Sequence, residues 1–449
     1  MGRGGRGGDM KQGLPLPLLL LSACAIHPEG EDAERDRAAA YGSAYARSLD
    51  ERELPVLGAG ATAADYVRHA LLANGELEQR YYEWVAALER IPQEASPPGT
   101  LALSFSHMLD GGASAWDRTT LALQTDPMEN LPLPSKLETA GRRALEEARA
   151  AGLRFDEMRY ELQRRVLVAC AELALLDEVA GIAEENAALI ELLAAVAEPR
   201  ARGGLAPQQD LVKLQRELDL ARNELRNLRA GAPGLQAELN ALLGREPQAP
   251  VTAVWPLQRA LEGTDEQLLA RIAQRNPRLL GLDHELAGGE QGLELARQEY
   301  LPDFALSAGI VGSVSQFVGG MLTLPFLRRE AIEGGIAQAR AELAAIAALR
   351  RQAGLDLAAR AVLELYLLRN LDRQLELYAG SLLPRTEQLV DLSRAAYTAG
   401  QVPLVELLES QRMLLEVRRV AAQLRAERVK ALAELEALSA SDLSQPADP

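Results

Sequence analysis

Twice in this chain a glycine is followed three residues later by a proline and then, three residues further on, by a carboxylate. The first copy is Gly204-Leu205-Ala206-Pro207 leading to Asp210, the second Gly400-Gln401-Val402-Pro403 leading to Glu406, with Glu409 three residues beyond. Glycine can take left-handed backbone where a helix ends, proline suits the start of the next helix, and a carboxylate near that start is favoured by the helix dipole. Tight helix reversal therefore explains all three residue types without any function. The chemistry open to them beyond that is electrostatic. Carboxylates brought together around a symmetry axis would repel one another, attract cations and raise each other's pKa. The alternative is a solvated coiled-coil face.

Covalent chemistry is suggested at one residue. Leu21-Ser22-Ala23-Cys24 follows the apolar run Leu14 to Leu21 and a start carrying Arg3, Arg6 and Lys11. The segment resembles a lipobox, in which small residues let a peptidase close on the backbone and the thiol becomes an acyl anchor. Residues 1–23 are then a lipoprotein signal peptide, Cys24 is the lipid anchor, and Met10 offers an alternative start. An uncleaved apolar tail is the competing reading. Arg6 excludes N-myristoylation, which wants Ser or Thr there, and Ala25 in place of Asp favours export onward to the outer membrane. Cys170, in the apolar stretch Val166 to Cys170, reads as a small core residue.

No enzyme is legible. His27, His69, His107 and His284 have no metal-ligand spacing, the seven methionines do not cluster, and no phosphate loop or nucleophile motif occurs. No cofactor and no metal are expected. The net charge of −16, with 44 Arg and 4 Lys, supplies no concentrated basic face and argues against nucleic acid. Apolar residues make up 48% but aromatics only 4%, a balance that leans toward long helices. Nowhere do about 20 apolar residues run together, so any membrane crossing falls to strands.

The elements that must position the glycine turns are themselves duplicated. Between Gly204 and Leu228, eight of twenty-five positions are identical 196 residues later, including Arg216/Arg412, Leu218/Leu414, Arg222/Arg418 and Leu228/Leu424. Residues 24–62 read as an extended N-terminal arm. A first repeat covers 63–245, a linker 246–263, a second repeat 264–440 and a tail 441–449. Helical pattern runs from Ala63 to Arg90, with Tyr66-Val67, Asn74 and Leu77 matching Leu268-Leu269, Asn276 and Leu279. The Asn-to-Pro interval is 18 residues in one half and 26 in the other, so the second carries about two extra helical turns.

Each half then alternates with period two: Leu101–Ser106 and Thr119–Gln124, then Phe304–Ile310 and a short Met321–Leu324 after the Gly312–Gln316 loop. Four strands cannot close a barrel alone, so several chains must pool them if they cross a membrane. Proline-free stretches predict long helices at about 135–200 and 327–398, each followed past its turn by another, at 205–243 and 403–438. A heptad seam joins Leu211, Leu218, Leu225, Ala232 and Leu239 with Leu214, Ala221, Leu228, Leu235 and Leu242. Pro233, inside Gly231-Ala232-Pro233-Gly234, should kink or break its helix.

This order, done twice, resembles the TolC-like outer-membrane factor family, in particular the lipoprotein channels of metal and drug efflux pumps. The residues that carry the resemblance are Asn276-Pro277 leading to Tyr300-Leu301-Pro302-Asp303, Leu239 to Arg245, Tyr397-Thr398-Ala399-Gly400, and Leu407 to Gln411. The resemblance implies a mainly α fold with a small β part: duplicated helix-strand-strand-helix halves, coiled-coil hairpins, and four strands given to a trimeric twelve-stranded transmembrane barrel. It also implies a homotrimer passing metal ions or drugs from an inner-membrane pump and a periplasmic adaptor to the exterior across outer-membrane lipid. By the same resemblance Arg200, Gly203, Gly204, Leu205, Ala206, Gly400 and Pro403 fall at the adaptor-contact turns. Glu406 and Glu409 fall at a constricting acidic ring, and Tyr397 with Asp210 at a closed-state hydrogen bond. Val402 departs from the pattern, since the best-known member has an arginine there. The rival readings are a lipid-anchored periplasmic coiled-coil scaffold, or an adaptor, without a pore. Neither has need of two strand hairpins.

Overall fold

The computed structural model describes residues 26–58, 60–97, 101–109, 111–112, 114–125, 131–203, 207–257, 264–313 and 315–440. Cys24 and the turn Gly204-Leu205-Ala206 lie outside them. Among the described residues two compact units are present: one holds those of 26–29, 89–144 and 291–338, the other those of 30–88, 145–290 and 339–440.

The first unit is built on one antiparallel sheet in the order β1 (Leu101–His107), β2 (Thr119–Thr125), β3 (Phe304–Val311), β4 (Ser315–Leu322). Leu103↔Leu123, Phe105↔Leu121, Leu121↔Ile310 and Ala308↔Val318 pair across it, so every second residue of each strand shares one apolar face. Strand β4 starts six residues earlier than the Met321 expected from sequence. Ser315 and Gln316 are polar and read as loop, but they pair with Val311 and Ile310; the reversal is confined to the residues around Gly312, whose φ is +50°. Below the strands, Lys136, almost fully buried, donates to the Leu301 carbonyl at 3.1 Å and to the Asp303 carboxylate at 2.8 Å. One of the chain's four lysines thereby fixes the Tyr300–Asp303 motif.

In the second unit the duplication is visible atom by atom. Helix α2 (Ala63–Ala73) opens with a capping box of Thr62 and Asp65; α7 (Asp265–Arg275) opens with one of Thr264 and Gln267. Asn74 and Asn276 end those helices. Each accepts the two following free N–H groups on Oδ1 and donates Nδ2, at 3.0 Å, to the last turn of its half's final helix, Leu242 O or Leu438 O. Helices α3 (Gly75–Leu88) and α8 (Pro277–Gln298) follow, 14 and 22 residues long, which are the two extra turns; a short α4 (Arg90–Glu94) comes after α3.

The long helices are α5 (Pro134–Arg202), α6 (Gln208–Leu242), α9 (Arg329–Leu377), α10 (Leu383–Thr398) and α11 (Leu404–Leu438). All ten heptad positions expected on α6 are buried or half-buried. Two expectations about proline are corrected. Helix α6 runs unbroken through Pro233; one lost backbone bond is offset by the turns beyond it, where Leu239 and Leu243 are fully buried. The break comes instead in the helix expected over 327–398, which passes through a π turn at Tyr378–Leu382. Pro384 has no N–H for the Gly380 carbonyl, and Leu383 N–H reaches back five residues to Tyr378 O.

The N-terminal arm is likewise not extended. Residues Glu31–Tyr45 form α1 despite their polar composition, because partners elsewhere hold them. Trp84, fully buried, donates Nε1–H to Glu34 at 2.9 Å, stacks on Phe155 and lies under Arg37. Tyr41, Tyr45 and Tyr81 complete that ring cluster. Among the described residues no helix is long and apolar enough to cross a membrane.

Replacing Asn276 or Asn74 by Ala strands a buried carbonyl and two helix-start N–H groups. Each change should cost about 1–3 kcal/mol, read as a lower midpoint of thermal unfolding, while an exposed control such as Gln401→Ala leaves it in place. Cys170 is 1% exposed and burial alone pushes its thiol up to about 12. A thiol reagent at about pH 8 should leave it unmodified in the native protein and modify it after denaturation; native modification at a free-thiol rate would contradict the packing.

Candidate functional site: the hairpin turns and the helix seam

The turn between α10 and α11 is complete in the structure. Gln401 N–H bonds Ala396 O at 2.9 Å and Gly400 N–H bonds Tyr397 O at 3.0 Å, a pair of reversed bonds that stops α10. Gly400 has φ +73° with open space around it, so glycine is demanded here by backbone conformation rather than by crowding. Pro403 stands one residue before α11, and Glu406 N–H bonds its carbonyl at 3.1 Å. At the other turn Pro207 caps α6 in the same way, with Asp210 N–H bonding Pro207 O at 3.0 Å. The backbone of Arg200 lies in the last turn of α5, and Gly203 follows it, exposed.

Under the two turns sits one apolar cluster. Leu214 from α6, Leu404 from α11 and Ala187, Ile190 and Ala197 from α5 are buried together, with Tyr397 and Leu408 packed against them. Tyr397 thus serves the cluster, and within the chain it is not hydrogen-bonded to Asp210, which pairs with Lys213 at 4.0 Å. Leu404, in the cluster, and Leu407 are buried, whereas Glu406 and Glu409 lie on the exposed side of the helix. Both carboxylates are exposed, and neither forms an ion pair among the described residues.

That isolation contrasts with the rest of the seam, where carboxylates are paired at seven-residue intervals. Arg412 bonds Glu217 and Arg419 bonds Glu224, so α11 runs parallel to α6. Arg418 meets Glu185 and Arg425 meets Glu178, so α11 runs antiparallel to α5; Arg222 with Glu191 and Arg229 with Glu184 set α5 against α6. Glu217 takes both repeated arginines, Arg216 at 2.7 Å and Arg412 at 2.8 Å. Sequence reading singled out that arginine pair but not the acid on which both copies converge. Among the described residues no group of His, Cys, Asp and Glu could hold a metal ion.

Residues 268–441 match the outer membrane efflux protein family. Solved structures resemble the chain over most of its length. They include the outer-membrane channel OprN, with a TM-score of 0.71 and 16% identity over 85% of this chain and 91% of that one. A membrane protein from Pseudomonas aeruginosa gives 0.71 and 19%, over 88% and 95%. The outer membrane protein VceC from Vibrio cholerae gives 0.69 and 17%, over 84% and 96%. At these identities the likeness is one of fold. No curated protein matches the chain.

Burial pushes the Glu217 carboxyl up, and the hydrogen bonds from Arg216 and Arg412 more than reverse this, leaving it below its ordinary 4.5. A group depressed in the folded state stabilises fully above its unfolded pKa and loses that contribution as pH falls through the folded one. Thermal midpoints followed from about pH 6 down to about pH 3 should fall more steeply in the native protein than in Glu217→Gln. Equal slopes would show the two arginines to be idle.

Proposed function

We propose that this chain, whose residues 268–441 match the outer membrane efflux protein family and whose fold resembles that of solved outer-membrane channels, is the passive outer-membrane duct of a tripartite efflux pump. The observation that carries the reading is the sheet. Its apolar face is exposed at Leu103, Phe105, Leu123, Leu306, Val318 and Leu322, and strands β1 and β4 each have one edge without a partner among the described residues. An apolar face suits hydrocarbon, but an open edge does not, because unpaired backbone groups there have no water to bond. Three copies joined β4 to β1 would give twelve strands and no edge.

A second copy would also cover the apolar side chains along α9, where Leu355, Val362, Leu363 and Tyr366 recur at three-, four- and seven-residue spacing and are all more than half exposed. Cys24, acylated, would anchor each chain to the membrane. The turns at Arg200 to Ala206 and at Gly400 to Pro403 would meet a periplasmic adaptor, and three copies of Glu406 and Glu409 would ring an entrance that draws in cations. The cargo is a metal ion or a small-molecule drug delivered by an inner-membrane pump. A scaffold or adaptor without a pore leaves the exposed sheet face and its two edges unexplained.

Two measurements test this. Purified protein in a planar bilayer should give discrete openings, with a mass of three chains from the same preparation; a silent monomer or dimer would return the reading to an anchored scaffold. In the double variant Glu406→Ala/Glu409→Ala the conductance should rise or the cation preference weaken, and unchanged selectivity would remove the acidic ring while leaving the duct.

A further inference from the structure

The face of the sheet opposite the apolar one has a composition of its own. Ser104, Ser106, Thr120, Gln124, Ser307 and Ser315 lie on it among alanines and glycines, and none of its positions carries an ionisable side chain. Two of the serines are turned back on the sheet: Ser104 Oγ–H donates to Ala122 O at 3.3 Å and Ser307 Oγ–H to Gly319 O at 3.4 Å. The surface is therefore neutral, with two of its six polar side chains bonded back to the strands. One aromatic residue interrupts it. Phe317 of β4 pairs with Gly309 of β3, and a Cβ built on Gly309 would lie 2.7 Å from the Cε1 and Cζ atoms of that ring. The ring thus lies down over the glycine, where no other residue could sit beneath it, and it remains 39% exposed. Met321, four residues on and on the same face, is 51% exposed.

A glycine covered by a neighbouring ring is a recognised way of stabilising a strand pair. It does not call for an aromatic ring on a face whose other positions, Val311 and Met321 apart, are small or polar, since a leucine would cover the same gap. The geometry points to Phe317 as a specificity-determining contact inside the barrel: three rings, one per chain, that take the flat apolar portion of an organic solute on its way out. The inference rests on the duct reading above, under which this face lines the lumen. A neutral lining neither holds nor repels ions, so metal ions pass it without a preference. Aromatic solutes gain a stacking contact there, and thioether contacts from Met321 lie within the same wall.

The test is current block in planar bilayers by 2-naphthol, with its saturated counterpart decahydro-2-naphthol as a shape control, in the native channel and in Phe317→Ser, Phe317→Leu and Phe317→Tyr. The expected result is that 2-naphthol blocks the native and Phe317→Tyr channels about fivefold more strongly than the Ser and Leu variants. The saturated alcohol should block all four alike, with open-channel conductance in potassium chloride unchanged. Phe317→Leu keeps Gly309 covered and so separates loss of the ring from loss of the strand pair, should the Ser variant fail to assemble. Equal block by 2-naphthol in the native and Leu channels overturns the role of Phe317 and leaves the duct intact. No openings from the native protein would overturn the duct, and this inference with it.

Discussion

Along the outer edges of β1 and β4 the backbone N–H and C=O groups have no strand partner among the described residues, and in hydrocarbon each would cost several kcal/mol. No arrangement of four strands removes both edges, because a sheet so narrow cannot close on itself. Within the chain the constraint is met in part by duplication, and the proposed association of three copies would meet the rest. Two hairpins, one from each half, are laid side by side through the β2–β3 pairing, and the remaining edges are left complementary, one at each side.

Register in the helical unit is held by two kinds of contact. Asn74 and Asn276 tie the first helix of each half to the last turn of that half's final helix by one Nδ2 bond each, while their Oδ1 atoms accept two N–H groups from the start of the next helix. Across the halves, the pairs Arg412–Glu217, Arg419–Glu224, Arg418–Glu185 and Arg425–Glu178 fix the direction and offset of α11 against α6 and α5. Each such pair is individually weak, of order 0.2–1 kcal/mol where exposed. A slip of one residue would break all of them together, so their value lies in specifying one alignment rather than in stability.

The sequence carries the duplication plainly, because glycine, proline and asparagine are each demanded by backbone geometry that few other residues can supply. Strand alternation and the α6 heptads are legible for the same reason: one face is apolar and the other is not. Less legible are features decided by competition between local preference and distant contacts. Helix α1 looks like a polar arm until Trp84 and Phe155 are brought against it. Pro233 looks like a breaker until the packing beyond it is counted. Ser315 and Gln316 look like loop until Val311 and Ile310 pair with them. At the turns the left-handed backbone of Gly400 and the place of Pro403 before α11 follow from their residue types, and Tyr397 packs against the apolar cluster.

The π turn at Tyr378–Leu382 matters through rotation. An α-helix advances about 100° per residue, so Leu371 on α9 and Val390 on α10, 19 residues apart, would sit about 100° out of phase in one continuous helix. A π turn takes up one extra residue, which reduces the effective spacing to about 18 residues, or five full turns. The buried Leu371 and Val390 are then returned to the same side. For that pair of positions the π turn acts as a phase shift of about one residue, about 100° of rotation between α9 and α10.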